Sequence, residues 1–191
     1  PDVLCPRPET EYLAQEAIGL LNADSKALDM CTGSGCIAIA IAGKSGAEVT
    51  ACDISEKALE VAKQNAVGNN VADKITFVKS DMFGCVEGRY DVIVSNPPYI
   101  PTKDIAKLDR EVREYDPNIA LDGGGDGLDF YRIFAKEASD YLCEGGHILL
   151  EVGIDQAQAV ESMFEGYDSR IIKDLQGIDR IVLLTKLQES E

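Results

Sequence analysis

Residues 27–44 read ALDMCTGSGCIAIAIAGK, and this stretch decides the fold class. Residues 27–31 form a short apolar run typical of a strand, and residues 36–44 are predicted to form a helix. The turn between them contains Gly33 and Gly35, which allow backbone conformations that a Cβ disfavours. A strand, a glycine turn and a helix in this order predict the start of an open α/β sheet.

The rest of the chain alternates between strand and helix patterns in the same way. Strands are predicted at 48–53, 74–78, 90–94, 147–152, 170–175 and 180–186, and helices at 9–22, 55–68, 128–142 and 155–164. Residues 101–127 read as a polar loop. Alternating elements predict parallel strands with right-handed crossovers. The last two strands are too close in sequence for a crossover, so they must be antiparallel. We therefore expect an α/β fold with a doubly wound, mostly parallel seven-stranded sheet and an antiparallel strand at or near its edge.

Composition limits the classes of partner. The chain has 191 residues, 34 acidic against 18 basic, and a net charge of −16. Such a surface repels phosphate backbones, which argues against non-specific nucleic-acid binding. No apolar run approaches the ~20 residues that a membrane-spanning helix needs. We expect one domain, a monomer, with no membrane association.

Cysteine usage indicates a reducing compartment rather than a metal centre. No C-x-x-C motif is present, and the only histidine is His147, so no metal site is expected. We interpret the thiols as small buried side chains of a cytoplasmic protein. The six cysteines are Cys5, Cys31, Cys36, Cys52, Cys85 and Cys143.

The glycine turn and the strand after it predict a nucleoside site. Asp53 lies 20 residues after Gly33 and ends the next strand, where a carboxylate can accept both hydroxyls of a ribose. After the third strand, Asp81 could bind an adenine amino group, and Met82 or Phe83 could pack on the ring. The pattern suits NAD as well as S-adenosylmethionine, and a turn that only connects two elements is a third interpretation.

A second candidate site, residues 95–100, reads SNPPYI after the fourth strand. Its two prolines fix two φ angles and make a stiff corner. Asn96 Oδ1 and the Pro97 carbonyl could accept both N–H groups of a planar amide or amino group, and Tyr99 could stack on it. An amide does not titrate in range, so Asn96 is no general base. The alternative is a Pro-Pro turn that only ends a strand. Nothing nearby offers a hydride enzyme's acid–base group, because His147 lies inside a strand as a structural residue.

These motifs, with PRPETE at 6–11, GGDGLDFYR at 124–132 and the segments 149–153 and 174–182, resemble the HemK/PrmC family of protein-(glutamine-N5) methyltransferases. The resemblance covers essentially the whole chain. It implies a Rossmann-like class I S-adenosylmethionine-dependent methyltransferase that releases S-adenosylhomocysteine. The implied substrate is the glutamine of the Gly-Gly-Gln motif in class I peptide chain release factors.

The expected contacts divide into three groups. The catalytic group is Asn96, Pro97 and Tyr99, and the substrate-binding group is these three with Pro98, Arg7 and Thr10. The expected cofactor-binding residues are Asp29, Cys31, Thr32, Gly33, Ser34, Gly35, Asp53, Ile54, Asp81, Met82, Phe83 and Asn96.

Several features depart from the family or stay open. Cys31 stands where relatives often have glycine, and Met82 where some have tryptophan. The family also has an amino-terminal helical domain, so we expect residues 1–191 to be the catalytic domain of a longer enzyme. Residues 7–11 are either part of the active-site rim or only a helix start, and residues 123–127 are expected to form a lid or cap rather than a phosphate loop. Two other functions remain open: an adenine-N6 methyltransferase for DNA or RNA, and a non-catalytic cofactor-binding module.

Overall fold

The computed structural model describes residues 3–4 and 7–187. Cys5, expected to be a buried thiol, lies outside them. Among the described cysteines Cys52 is buried as expected, Cys31, Cys36 and Cys143 are partly exposed, and the expectation was wrong for Cys85, which is exposed. The strands are β1 (Lys26–Met30), β2 (Glu48–Asp53), β3 (Ile75–Lys79), β4 (Tyr90–Ser95), β5 (Leu142–Glu151), β6 (Tyr167–Lys173) and β7 (Asp179–Lys186). The α-helices are α1 (Pro8–Ile18), α2 (Cys36–Lys44), α3 (Glu56–Gly68), α4 (Thr102–Ile105), α5 (Arg110–Tyr115), α6 (Asp129–Glu137) and α7 (Ala157–Glu161).

The seven strands form one sheet in the order β3-β2-β1-β4-β5-β7-β6. Strands β1 to β5 pair in parallel, and β7 is antiparallel to both β5 and β6. The predicted α/β class and the antiparallel strand near the edge are therefore confirmed. Because β1 has β2 on one side and β4 on the other, the strand order reverses there, which opens a crevice at the carboxyl ends of β1 and β4.

Helices cover both faces of the sheet. Alternate residues of β1 point to opposite faces, so Leu28 packs with Tyr131 and Phe134 of α6, while Ala27 packs with Leu13 of α1. All five side chains are fully buried. The two apolar layers hold the sheet rigid, and the strand ends that border the crevice are therefore fixed in position.

Several predicted boundaries were wrong, among them those of β6, which covers Tyr167–Lys173 and not 170–175. Helix α1 ends at Ile18 instead of 22, with Gly19 as its C-cap, and α7 covers only part of 155–164. In place of the predicted helix 128–142, α6 ends at Glu137, a 3-10 helix covers Ala138–Tyr141, and β5 begins at Leu142 instead of 147. The pairing of β4 with β5 shifts register between Tyr90 and Val92. Residues 101–127 contain α4, α5 and a short 3-10 helix rather than loop alone.

Among the residues that the structure describes, no helix has the length and apolarity needed to cross a bilayer.

Candidate active site

The two glycines of the turn after β1 have different tasks. Both have positive φ, 55° at Gly33 and 80° at Gly35. A Cβ on Gly35 would lie 2.9 Å from the Ala62 Cβ, so this glycine allows α2 to pack against α3. A Cβ on Gly33 would have no heavy atom within 4 Å, so its missing side chain leaves open space above the backbone. Gly33 thus provides room for a ligand, and Gly35 provides packing.

Asp29 stabilises this turn by accepting two hydrogen bonds. Its Oδ2 accepts hydrogen bonds from Thr32 Oγ1 at 2.6 Å and from the Ala38 backbone N–H at 3.0 Å. The side chain is fully buried, and Oδ1 has no hydrogen-bond partner among the described residues. Burial raises the pKa of this carboxyl to about 7. Asp29 lines neither of the two cavities described below, and the structure therefore gives it a place beneath the expected cofactor contacts.

Asp53 ends β2 with its carboxylate held in one orientation. The Gly33 N–H donates to Oδ2 at 2.9 Å, and the Ser55 N–H donates to Oδ1 at 2.8 Å. Ser55 also caps α3 by accepting from the Ala58 N–H. A carboxylate can accept about four hydrogen bonds. Each oxygen of Asp53 therefore keeps acceptor capacity for a ligand.

These residues border one space, here called the first cavity, which encloses about 1020 Å³ outside protein atoms, including its open mouth. It joins the carboxyl ends of four strands, as the sequence predicted. Of the expected cofactor contacts it is lined by Cys31, Thr32, Gly33, Ser34, Asp53, Ile54, Asp81, Met82 and Asn96. Val3, Leu4, Pro117, Ile119, Ala120 and Phe130 form an apolar wall that the sequence did not indicate.

Gly35 and Phe83 do not line the first cavity. The Phe83 ring is 2% exposed, stacks on Tyr141 with centroids 4.8 Å apart, and meets Phe134 edge-on. This ring belongs to the core, so of the two candidates for contact with a flat ligand ring, Met82 alone lies at the cavity.

Cys31 and Met82 adopt a backbone conformation that side chains disfavour. Their φ angles are 60° and 45°, in the left-handed region, which costs about 1–2 kcal/mol for a residue with a Cβ. A glycine at position 31 would adopt this angle without that cost. Burial raises the pKa of the Cys31 thiol well above its ordinary value, so the thiol is neutral.

The corner after β4 faces the first cavity on one side and a second cavity on the other. Asn96 borders both, Pro98 borders the first, and Pro97 and Tyr99 border the second. The Asn96 Nδ2 donates to Thr10 Oγ1 at 3.1 Å, and Thr10 Oγ1 donates to Glu151 Oε2 at 2.9 Å. The corner therefore lies beside the glycine turn, with space on both of its sides.

The glycine run at 123–127 braces this corner. The Ile100 N–H donates to the Leu121 carbonyl and the Gly123 N–H to the Ile100 carbonyl, each at 2.9 Å. A Cβ on Gly123 would lie 2.8 Å from the Tyr99 Cα. Gln156 Nε2 donates to the Tyr99 carbonyl at 2.9 Å. Through these contacts the segment just before α6 stabilises the corner.

The second cavity has a charged rim. Acids outnumber bases along it, and the two arginines are both engaged: Arg7 pairs with Asp116 at 3.6 Å, and Arg180 pairs with Asp174 at 3.1 Å. Arg7, which we expected at the substrate, thus lies at this rim. Residues 7–11 supply both a helix start and part of the rim. The charged residues lining it are Arg7, Glu9, Asp104, Asp109, Asp126, Glu151 and Arg180.

Glu151 is a candidate functional residue that the sequence analysis missed. It ends β5 at the same edge of the sheet, is 2% exposed, and has a pKa raised to about 7 by burial. The signal was present, because an acid closes the apolar strand 147–150. His147, by contrast, pairs with Thr185 at 3.0 Å inside the sheet, as predicted.

Solved structures place this fold in a known class. A methyltransferase from Pyrococcus furiosus superposes with a TM-score of 0.74 at 25% identity, over 98% of this chain and 87% of that one. An RNA methyltransferase from Salinibacter ruber, solved in complex with S-adenosyl-L-homocysteine, superposes with a TM-score of 0.66 at 18% identity, over 99% of this chain and 97% of that one. The fold is that of the class I S-adenosylmethionine-dependent methyltransferases.

Sequence comparison identifies the family within this class of methyltransferases. The family described as "Methyltransferase small domain" matches residues 11–112. Release factor glutamine methyltransferase of Thermodesulfovibrio yellowstonii is 42% identical over 96% of this chain and 69% of its own length. The protein of the same name from Geobacter sulfurreducens is 43% identical over 95% of this chain and 65% of its own. The chain belongs to the release factor glutamine methyltransferase family, and it spans about two thirds of the length of these relatives.

Proposed function

We propose that this protein transfers a methyl group from S-adenosylmethionine to the side-chain amide nitrogen of the Gly-Gly-Gln glutamine in class I peptide chain release factors. The observation that carries this proposal is the position of Asn96 between the two cavities. The first cavity lies over the glycine turn and the second opens to solvent beside the corner. One acceptor side chain therefore faces a cofactor space and a substrate space together.

The residues of the first cavity fit S-adenosylmethionine. The open space above Gly33 admits a ligand against the backbone. Asp53, fixed by two N–H donors, has acceptor capacity for a ribose. The apolar lining at Ile54, Met82 and Phe130 suits the adenine ring. When bound, this cofactor supplies an electrophilic methyl group on a sulfonium cation.

The chain's own residues orient the substrate amide. An amide nitrogen is a weak nucleophile because its lone pair is delocalised. Asn96 Oδ1 and the Pro97 carbonyl accept its two N–H groups and fix the direction of that lone pair. Tyr99 borders the same space and packs against the planar amide. Burial raises the Tyr99 pKa, so its ring remains neutral.

The charge of the protein favours a polypeptide substrate over a nucleic acid. The net charge is −16, and five carboxylates line the second cavity. A phosphate backbone meets repulsion at this rim, whereas basic side chains around a peptide meet attraction. Among the described residues all five cysteines are free thiols, which suits a cytoplasmic reaction.

Labelled S-adenosylmethionine tests the proposal and its rivals directly. The protein is incubated with a release factor, with the same factor carrying glutamate in place of the motif glutamine, and with duplex DNA or RNA. We expect label only in the unaltered release factor, located at the glutamine by mass spectrometry. Label in nucleic acid would instead establish adenine methylation, and cofactor binding without transfer to any acceptor would indicate a binding module.

A further inference from the structure

A chain of two hydrogen bonds, one partly buried and one buried, joins the corner to an acid on a different strand. Asn96 Nδ2 donates to Thr10 Oγ1 at 3.1 Å, and Thr10 Oγ1 donates to Glu151 Oε2 at 2.9 Å. Thr10 is 5% exposed and Glu151 is 2% exposed. Helix α1 thus provides the link between the end of β5 and the corner after β4.

The direction of this chain decides which end of the Asn96 amide faces the substrate. A hydroxyl has one proton to donate. While Thr10 gives that proton to an ionised Glu151, it can only accept from Asn96, so Nδ2 turns toward Thr10 and Oδ1 is left to accept elsewhere. If Glu151 were protonated, it could donate to Thr10, and Thr10 could then donate to Oδ1 of a flipped amide. The flipped amide would present N–H groups to a substrate that also presents N–H groups.

Charged groups from three sides act on Glu151. Glu9 of α1 opposes its ionisation, whereas Arg7, before α1, and Arg180 of β7 favour it. From α6, the Tyr131 hydroxyl donates to the backbone carbonyl of Glu151 at 2.8 Å. Burial outweighs the arginines and raises the pKa of Glu151 to about 7. Its protonation state therefore changes within the working range of an enzyme.

We propose that Glu151 is a positioning residue which, through Thr10, fixes the Asn96 amide with Oδ1 toward the substrate. This inference rests on the proposed function, because it assigns a task to Asn96 in the same site. In this role Glu151 acts on the substrate through Thr10 and Asn96, and not on the reacting atoms. Methyl transfer should then require ionised Glu151 and increase as the pH rises through about 7.

Variants of the two supporting residues test the kinetic consequence. Thr10→Val interrupts the chain and should lower kcat by about 10- to 100-fold, with the KM for S-adenosylmethionine changed by less than about threefold. Thr10→Ser restores the hydroxyl and should recover most of that loss. Glu151→Gln can hold either orientation of Thr10, so kcat should fall by about tenfold and lose the rise near pH 7.

Asp29→Asn is the matched control for the pH profile. Asp29 is a second buried carboxyl with a pKa raised to about 7, but its hydrogen bonds go to the glycine turn. The rise of kcat with pH, measured at saturating S-adenosylmethionine, should survive in Asp29→Asn and vanish in Glu151→Gln. Survival of the rise in Glu151→Gln would overturn the inference.

A measurement without substrate separates this inference from the proposed function. The side-chain amide resonance of Asn96, assigned by its loss in Asn96→Ala, should shift with a midpoint near pH 7 in the unaltered protein. The shift should be absent in Thr10→Val and Glu151→Gln. Titration without methylation of a release factor would uphold the inference and refute the function. If the release factor is methylated but the Asn96 resonance behaves the same in Glu151→Gln as in the unaltered protein, the function is upheld and the inference is refuted.

Discussion

The glycine turn after β1 and the corner after β4 each depend on a buried acid, but the two acids act over different distances along the chain. Asp29 binds Thr32 and Ala38, three and nine residues away. Asn96 binds Thr10, 86 residues away, which in turn binds Glu151 across 141 residues. The turn is thus a local structure, and the corner exists as a site only when the whole domain is folded.

The largest expected effect is on the rate of methyl transfer, with cofactor affinity nearly unchanged. Asn96→Ala removes the oxygen that accepts a substrate N–H, and kcat should fall by about 10²–10³-fold, as for loss of one preorganised hydrogen-bonding group. Cofactor affinity should stay within several-fold, because Asp53 and the turn are untouched. The measurements are single-turnover methylation of a release factor and calorimetric binding of S-adenosylhomocysteine. Full activity in this variant would refute the acceptor role.

This contrast explains how far the sequence could predict the molecule. The strand–turn–helix at 27–44 and the acid at Asp53 are local signals, so the sheet and the places of Gly33 and Asp53 at the first cavity followed from spacing. The apolar wall of that cavity comes from distant parts of the chain and did not. The corner was recognised from its prolines, yet its support by Thr10 and Glu151 depends on packing between α1 and β5, which no local pattern encodes. Phe83 was misplaced for the same reason, since its stacking on Tyr141 comes from distant chain.

The pH dependence of stability tests whether both acids are as costly to ionise as their burial indicates. Each folded pKa, about 7, lies above the ordinary values of 3.8 for Asp29 and 4.5 for Glu151. The folded state therefore holds these protons more tightly, so each group's contribution to the free energy of unfolding is complete below about pH 4 and is lost as the pH rises toward 7. The loss is at most about 4 kcal/mol for each group.

Urea unfolding between pH 4 and pH 8 measures this loss. Surface acids with lowered pKa, such as Asp126 and Asp174, act in the opposite direction at lower pH, so the quantity of interest is the difference between variant and unaltered protein. Asp29→Asn and Glu151→Gln should each make the decline with pH shallower. Parallel curves for variant and unaltered protein would show that the acid concerned ionises normally.

The two glycines of the turn form a matched pair. Both substitutions to alanine impose a positive φ on a residue with a Cβ, at about 1–2 kcal/mol. Gly35→Ala also drives its Cβ against Ala62, at 2.9 Å, whereas the Gly33 Cβ meets nothing. Gly35→Ala should therefore lower the free energy of unfolding by about 2–4 kcal/mol, and Gly33→Ala by about 1–2 kcal/mol.

For ligand affinity, the order of the two glycine variants should be the reverse of their order in stability. The alanine methyl in Gly33→Ala fills the open space at the first cavity, so this variant should lose more affinity for S-adenosylhomocysteine than Gly35→Ala measured at a temperature where both are folded. Equal losses of affinity would mean that the space above Gly33 is not used by the ligand.

A further effect of similar size concerns the ribose contact at Asp53. Asp53→Ala should weaken S-adenosylhomocysteine binding by about 1–3 kcal/mol, the cost of losing a charged hydrogen-bond partner. Because Asp53 also anchors the Gly33 and Ser55 N–H groups, weaker ligand binding could reflect a looser turn.

Comparison of adenosine with its 2′,3′-dideoxy analogue separates the loss of a ribose contact from the loosening of the turn. The unaltered protein should prefer adenosine, and Asp53→Ala should not distinguish them, as coupling between the carboxylate and the hydroxyls requires. Asp73→Ala, which removes an exposed acid outside both cavities, should preserve the preference. A preference that persists in Asp53→Ala would remove the ribose assignment and leave Asp53 as a support of the turn alone.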